Sequence, residues 1–225
     1  MRPLAHRTAL VRQLAAWLPA PADAPRQDLA ERLGGWLNVR DAIALHAAHQ
    51  ALTQVTQATQ ATPAQRRATR PGAAGPGLRP ALQALRDTLE HGIAAPPALP
   101  LMPDDTSFAP THQRCLALQR RMETAIDAFR QHARQTLAAA SPQLARLAQL
   151  DATLDRLLGG REQRLLADVP QFLKARFEQL RQSEPETWPA TFEAELQQAL
   201  RAELDLRLQP VTGLVEAFEQ AGPTP

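Results

Sequence analysis

An all-α fold, arranged as an antiparallel helical bundle with a long helical hairpin and two proline-rich linkers, is what this sequence predicts. Three observations predict it. Ala, Leu, Arg and Gln dominate the 225 residues while aromatic residues make up 4% and tyrosine is absent, a composition that favours helix over sheet. Apolar residues recur at spacings of three and four through the second half, with no alternating run that would read as a strand. Nine of the 20 prolines fall between residues 63 and 110, where large apolar side chains are few, so that region reads as connection.

The first 58 residues form an N-terminal helical region. Leu4, Val11, Leu14 and Leu18 share one face with Leu10 and Trp17 beside them, and Pro19 and Pro21 stop that helix. Asp28 to Trp36 carries Leu29, Leu33, Trp36 and Leu37 at helical spacing, with Gly34-Gly35 at a helix end or a close helix contact. Asn38 is a plausible N-cap for a longer helix to about Val55. Residues 59–80 hold four prolines, three glycines and four arginines and bury too little to offset ordering entropy, so they read as a flexible linker. A single helix follows over 81–95, with Leu82, Leu85 and Leu89 on one side. Residues 96–110 are an extended, proline-rich linker in which Pro96, Pro97, Pro100 and Pro103 forbid helix.

Residues 111–225 are the long-helix bundle. From Thr111 to Ala140 the stripe Cys115, Leu118, Met122, Ile126, Phe129, Ala133 and Leu137 has an eleven-residue period, which keeps a helix nearly straight. Ser141-Pro142 is an N-cap followed by proline at the first helical position. The next stripe, Leu144, Leu147, Leu150, Leu154, Leu157 and Leu158, continues through Leu165, Val169, Phe172, Leu173, Phe177 and Leu180. Gly159-Gly160 would either break that helix or soften it, and Pro170 should kink it. Ser183-x-x-Glu186 matches a capping box, with Phe192, Leu196, Leu200, Leu204 and Leu208 as a further stripe and Val211, Leu214, Val215 and Phe218 as a short last helix.

The motifs exclude more than they suggest. One cysteine rules out a disulfide scaffold and a thiolate zinc site, and no phosphate loop, nucleophile elbow or zinc-protease motif occurs. The N-terminal residues lack the apolar core of a secretory signal, and the longest uncharged stretch, Ala42 to Gln65, is too polar to cross a membrane. The expected location is therefore the cytoplasm. His112 and Cys115 could share a metal, as could His46 and His49, but no further ligand lies nearby; Cys115 is equally a small core residue and His112 a surface one. Asp151, Asp155 and Glu162 lie on one helix face and could serve acid–base or magnesium chemistry, or could simply be the wet side. Asp104-Asp105 sits in a loop without the Glu-x-Lys partner of divalent-metal nucleases. No enzyme and no cofactor are expected.

Charge is laid out unevenly. The pI of about 9.4 is inflated, because Lys174 is the only lysine, tyrosine is absent and the net charge is only +2. By segment, residues 1–87 carry +6, 88–112 carry −3, 113–181 carry +5 and 182–225 carry −6. Arg66, Arg67, Arg70 and Arg79 in the linker could reach phosphate without fixed geometry. Arg114, Arg120, Arg121, Arg130 and Arg134 are expected on non-core faces of one helix, and Arg161, Arg164, Lys174, Arg176 and Arg181 on the next. Such a surface would contact nucleic-acid backbone, not bases, or it would be an ordinary solvated surface.

The run Ser141 to Gln182 (SPQLARLAQLDATLDRLLGGREQRLLADVPQFLKARFEQLRQ), the preceding HQRCLALQRRMETAIDAFRQHARQTLAA, and Glu31 to Leu45 (ERLGGWLNVRDAIAL) resemble a bacterial domain-of-unknown-function family. It is similar to proteins encoded beside MotA/MotB-like proton-channel genes, as in the type III branch of the Zorya anti-phage defence systems. The resemblance implies a cytosolic, non-enzymatic accessory subunit that assembles with a second helical subunit and a MotA/MotB-like membrane complex and engages invading double-stranded DNA; the arginine-rich surface read from the charge layout would supply that contact. A scaffold with no nucleic-acid role, whose positive charge meets an acidic protein, is the other reading. The motifs behind the resemblance are helix-packing patterns, so no catalytic or binding residue carries over.

Overall fold

The computed structural model describes residues 8–17, 46 and 77–221, and in these the chain is all-α. Six helices follow in order: α1 Ala9–Trp17, α2 Leu78–Ala94, α3 Ala109–Ala140, α4 Pro142–Leu166, α5 Val169–Ser183 and α6 Trp188–Gln220. The helices expected over 28–55 and the stretch 59–76 lie outside the described residues. The long hairpin is α3 and α4, joined through Ser141 alone. Ser141 is extended (φ −160°, ψ 158°), and its Oγ accepts from the Leu144 N–H at 3.2 Å, while Pro142 occupies a position whose N–H would have no partner. The sharp reversal is thus held by the cap read from the sequence. α6 packs against α1, α2, α3, α4 and α5, so it is the central element.

The stripe on α3 buries Cys115, Met122, Ile126, Ala133 and Leu137, with Leu118 and Phe129 half-buried beside it. On α6, Phe192, Leu196, Leu200, Leu204 and Leu208 are fully or almost fully buried. One core end is aromatic: Phe177 packs edge-on against Trp188 at 4.9 Å and against Phe192 at 5.4 Å, with Phe108 at 5.6 Å. A second cluster, Leu78, Ala133, Leu137, Leu144, Ala148, Leu214 and Val215, fills the hairpin end. On α1 the inner residues are Leu10, Leu14 and Trp17, whereas Val11 is 46% exposed, so the helix is rotated from the face first expected.

Several boundaries differ from expectation, each for a local reason. α2 begins at Leu78, inside the expected linker, because Leu78 is buried and Pro80 is tolerated in the first turn. Gly159-Gly160 does not break α4, which runs through to Leu166. Pro170 kinks nothing: the chain turns at Ala167-Asp168 and Pro170 sits in the first turn of α5, where its missing N–H is harmless. The capping box at Ser183 is not formed. Ser183 is the last residue of α5, and α6 starts at Trp188 after Thr187, because the buried indole fixes the start. Nor is there a separate last helix, since α6 continues through Pro210. An interior proline costs about 3 kcal/mol, and Leu208, Val211, Leu214 and Val215 bury on both sides of it, which offsets that loss.

The proline-rich segment after α2 is pinned at three points. Trp188 Nε1 donates to Pro103 O at 3.2 Å, Arg114 Nη2 donates to Ala95 O at 2.9 Å, and Phe108 is buried in the aromatic cluster.

Two consequences are measurable. Gly160 has open space where a Cβ would lie, so Gly160→Ala is expected to stabilise the protein by about 0.5–1 kcal/mol in denaturant titration. At Gly159 a Cβ would lie 3.3 Å from Asp155 Oδ1, so the same change there should gain less or lose stability. The Cys115 thiol is pushed up to about 12 by burial. Its reaction with a thiol reagent at pH 8 is expected to be negligible in the native protein and to appear on unfolding.

Candidate functional site: the arginine surface and the charged interior

The acidic helix α6 meets the arginines of its neighbours. Arg79 of α2 bonds both carboxylate oxygens of Glu219, and Arg86 donates to Asp205 at 2.6 Å. From α3, Arg114 Nη1 reaches both oxygens of Glu193 at 2.8 and 2.9 Å. On α5, Arg176 holds Glu195 through two bonds of 2.7 Å. Bidentate geometry of this kind fixes register as well as adding energy. The bond from Arg79 holds the Glu219 carboxyl below its ordinary range, and Arg79 is raised in return.

Inside the hairpin lies a second network. Arg130 Nε and Nη2 donate to Asp151 at 2.9 and 2.6 Å and its Nη1 to Asp155 at 2.7 Å. Arg134 Nε donates to Asp151 at 2.7 Å and its Nη2 to Asp155 at 2.9 Å. Arg134 and Asp151 are both buried. This corrects two expectations: Arg130 and Arg134 are not on an outer face, and Asp151 and Asp155 are not the wet side of α4. The spacing 144, 148, 151, 155 faces α3, and the half-buried leucines 147, 150, 154, 157 and 158 flank it.

A third group is deeper still. Glu203 is 0% exposed and receives Gln119 Nε2 at 3.1 and 3.0 Å and Arg207 Nε at 2.9 Å, while Gln119 Nε2 also reaches Leu166 O at 3.1 Å. Sequence reasoning missed this triad. The available signal was Glu203 and Arg207 at i, i+4 beside the leucine stripe, with Gln119 interrupting the apolar face of α3. Between the second and third groups is a cavity of about 50 Å³ lined by Glu123, Asp127, Arg130, Asp155, Gln163 and Arg207. Asp127 is exposed at the cavity mouth, and partial desolvation there raises its carboxyl, with Asp155 and Glu123 adding to it against Arg130 and Arg134. Because the folded protein holds this proton more tightly, stability falls as pH rises through and above the ordinary 3.8. Asp127→Asn is therefore expected to stabilise at neutral pH and to have no effect well below pH 3.8, as read by denaturant midpoints across pH.

The expected nucleic-acid residues are dispersed. Arg79 lies in α2 and not in a linker, and it and Arg176 are committed to glutamates. Lys174 is exposed and only loosely paired with Glu178 at 3.8 Å. Arg120, Arg121 and Arg164 are exposed and make no ion pair with the described residues. Arg66, Arg67 and Arg70 lie outside the described residues, as does the side chain of Arg161. Among the described residues no three His, Cys, Asp or Glu side chains come together as metal ligands, and His112 lies exposed, stacked beside Phe108 at 6.1 Å. No described helix is long and apolar enough to cross a membrane.

A family model described as a protein of unknown function, DUF3348, matches residues 2–220. The chain belongs to the DUF3348 family. No curated protein and no solved structure matches it. The DUF3348 match spans both the helical bundle and the residues before it, so α1 and the internally paired body belong to one family unit.

Proposed function

We propose that the protein is a non-enzymatic, cytosolic assembly subunit of a proton-channel-linked, Zorya-like anti-phage defence system, docking a second helical subunit beside a MotA/MotB-like membrane complex. The observation that carries this reading is the internal use of charge. Arginines from α2, α3 and α5 close onto the acidic α6, and the carboxylate pair that could have served acid–base work, Asp151 and Asp155, is held by two guanidiniums. A body closed in this way suits a rigid adaptor more than a catalyst. The sequence resemblance supplies the defence context.

Double-stranded DNA would be met by Arg120, Arg121, Arg164 and Lys174, joined by Arg66, Arg67, Arg70 and Arg161. The same ion pairs favour the scaffold reading without DNA, because they remove Arg79 and Arg176 from the available set. Titration with duplex DNA at several salt concentrations separates the two. Three described arginines bound to phosphates give a log–log salt slope of about −3, and Arg120→Glu with Arg121→Glu and Arg164→Glu should remove it. Absence of binding at low salt, alone or with the neighbouring gene product, sinks the DNA role. Failure of that product and the channel proteins to co-elute with this chain sinks the assembly role.

A further inference from the structure

One end of the bundle combines features that the charge network leaves unexplained. Three large hydrophobic residues are exposed among the described residues, and two of them, Leu99 at 77% and Met102 at 56%, stand three positions apart on the strap between α2 and α3. That strap is built to hold them out. Ala95 is already extended (φ −59°, ψ 132°), and Ala95, Leu99 and Met102 each precede a proline, which restricts them further. Leu101 turns inward against the core, and the Met102 N–H donates to Asp105 Oδ2 at 2.8 Å while the Asp105 N–H donates to Met102 O at 3.0 Å, closing a turn. The Trp188 indole bond to Pro103 O joins this turn to the one preceding α6.

The two turns bring carboxylates. Asp104, Glu184 and Glu186 are exposed there, and Asp105 is half-buried. No lysine or arginine occurs in residues 95–110 or 182–192. Of the cations beside this end, Arg114 is held by Glu193, Arg176 by Glu195 and Arg181 lies over the Phe177 ring at 5.6 Å, while Lys174 lines a groove with residues 106–109 and pairs loosely with Glu178. Two apolar knobs on a pinned, preordered strap beside a predominantly acidic rim form a surface whose complement is an apolar stripe flanked by positive charge. The flexible methionine adds adaptability to the contact.

We infer that this end of the bundle, with Leu99 and Met102 as anchors and Asp104, Glu184 and Glu186 as its rim, docks a cationic amphipathic helix of another protein. The inference deepens the assembly reading and rests on it, naming the surface and the chemistry of the partner. The probe is a labelled 18-residue Leu/Lys amphipathic peptide, titrated into the full chain by fluorescence anisotropy, with a Leu/Glu peptide of the same pattern beside it. Binding of the Leu/Lys peptide should weaken at least tenfold in Leu99→Asp with Met102→Asp, and should weaken and lose salt dependence in Asp104→Asn with Glu184→Gln and Glu186→Gln. Asp87→Asn with Glu216→Gln, exposed acids elsewhere, should leave it unchanged. All these positions are exposed, and unchanged helicity by circular dichroism confirms folding. No Leu/Lys binding, equal Leu/Glu binding, or equal loss in the control variant overturns the inference. So does a dimer that Leu99→Asp dissociates, since the occupant is then a second copy. Tighter peptide binding after Arg66→Ala, Arg67→Ala and Arg70→Ala overturns it in favour of the chain's own basic segment. These peptide readouts are independent of co-elution with the defence proteins, so the two readings can fail separately.

Discussion

Replacing Trp188 with alanine is expected to destabilise the protein by about 3–5 kcal/mol, a large share of the 5–15 kcal/mol typical of a domain. The side chain is 0% exposed and touches both Phe177 and Phe192, so its removal leaves an aromatic-lined void that fixed neighbours cannot close. The effect should also reach the strap. Without the indole, Pro103 loses its bond and residues 95–105 lose the anchor nearest their middle. Trp188→Phe keeps most of the apolar contact and is expected to cost much less in folding, yet to increase proteolytic cutting within 97–104 as strongly as the alanine change. Denaturant midpoints and limited proteolysis together check this. A strap as well protected in Trp188→Phe as in the unsubstituted protein would show that the hydrogen bond does not hold it.

Arg207→Met is expected to cost about 3–5 kcal/mol, because it leaves the wholly buried Glu203 carboxyl without its guanidinium partner. Gln119 alone cannot supply the missing charge. If Glu203 is replaced with methionine as well, most of the loss should return, since an apolar pair of similar volume avoids desolvating either ion. A double-mutant cycle on Glu203 and Arg207, read by denaturant titration, measures the coupling directly. The order of stabilities is the test: the double variant must exceed the Arg207→Met single variant. The reverse order would mean that the pair is chiefly a packing element.

The helices were legible because burial follows their period. The eleven-residue stripe on α3 and the run from Phe192 to Leu208 on α6 both face the core as read. The expected separate last helix and the expected capping box at Ser183 fail for one reason. Proline and capping patterns weigh about 1–3 kcal/mol each, and burial of Trp188 and of the residues around Pro210 outweighs them. The charged interior was not legible. Segment sums placed +5 on residues 113–181 and −6 on 182–225, which locates opposite charge without saying that it pairs. Arg130 and Arg134 sit at i, i+4 on α3, and only the tight reversal at Ser141 sets Asp151 and Asp155 opposite them. Knowing the hairpin register would have turned a supposed outer face into an interior one.

The position of α6 bears on how the chain is made. It lies against all five other described helices and is the last of them to be synthesised. While its 33 residues are being added, for about 2–7 s at 5–20 residues per second, Arg79, Arg86, Arg114 and Arg176 lack the carboxylates of Glu219, Asp205, Glu193 and Glu195. The helices that precede α6 therefore carry their largest uncompensated positive charge until it closes on them, and α6 acts as the latch that ends that interval.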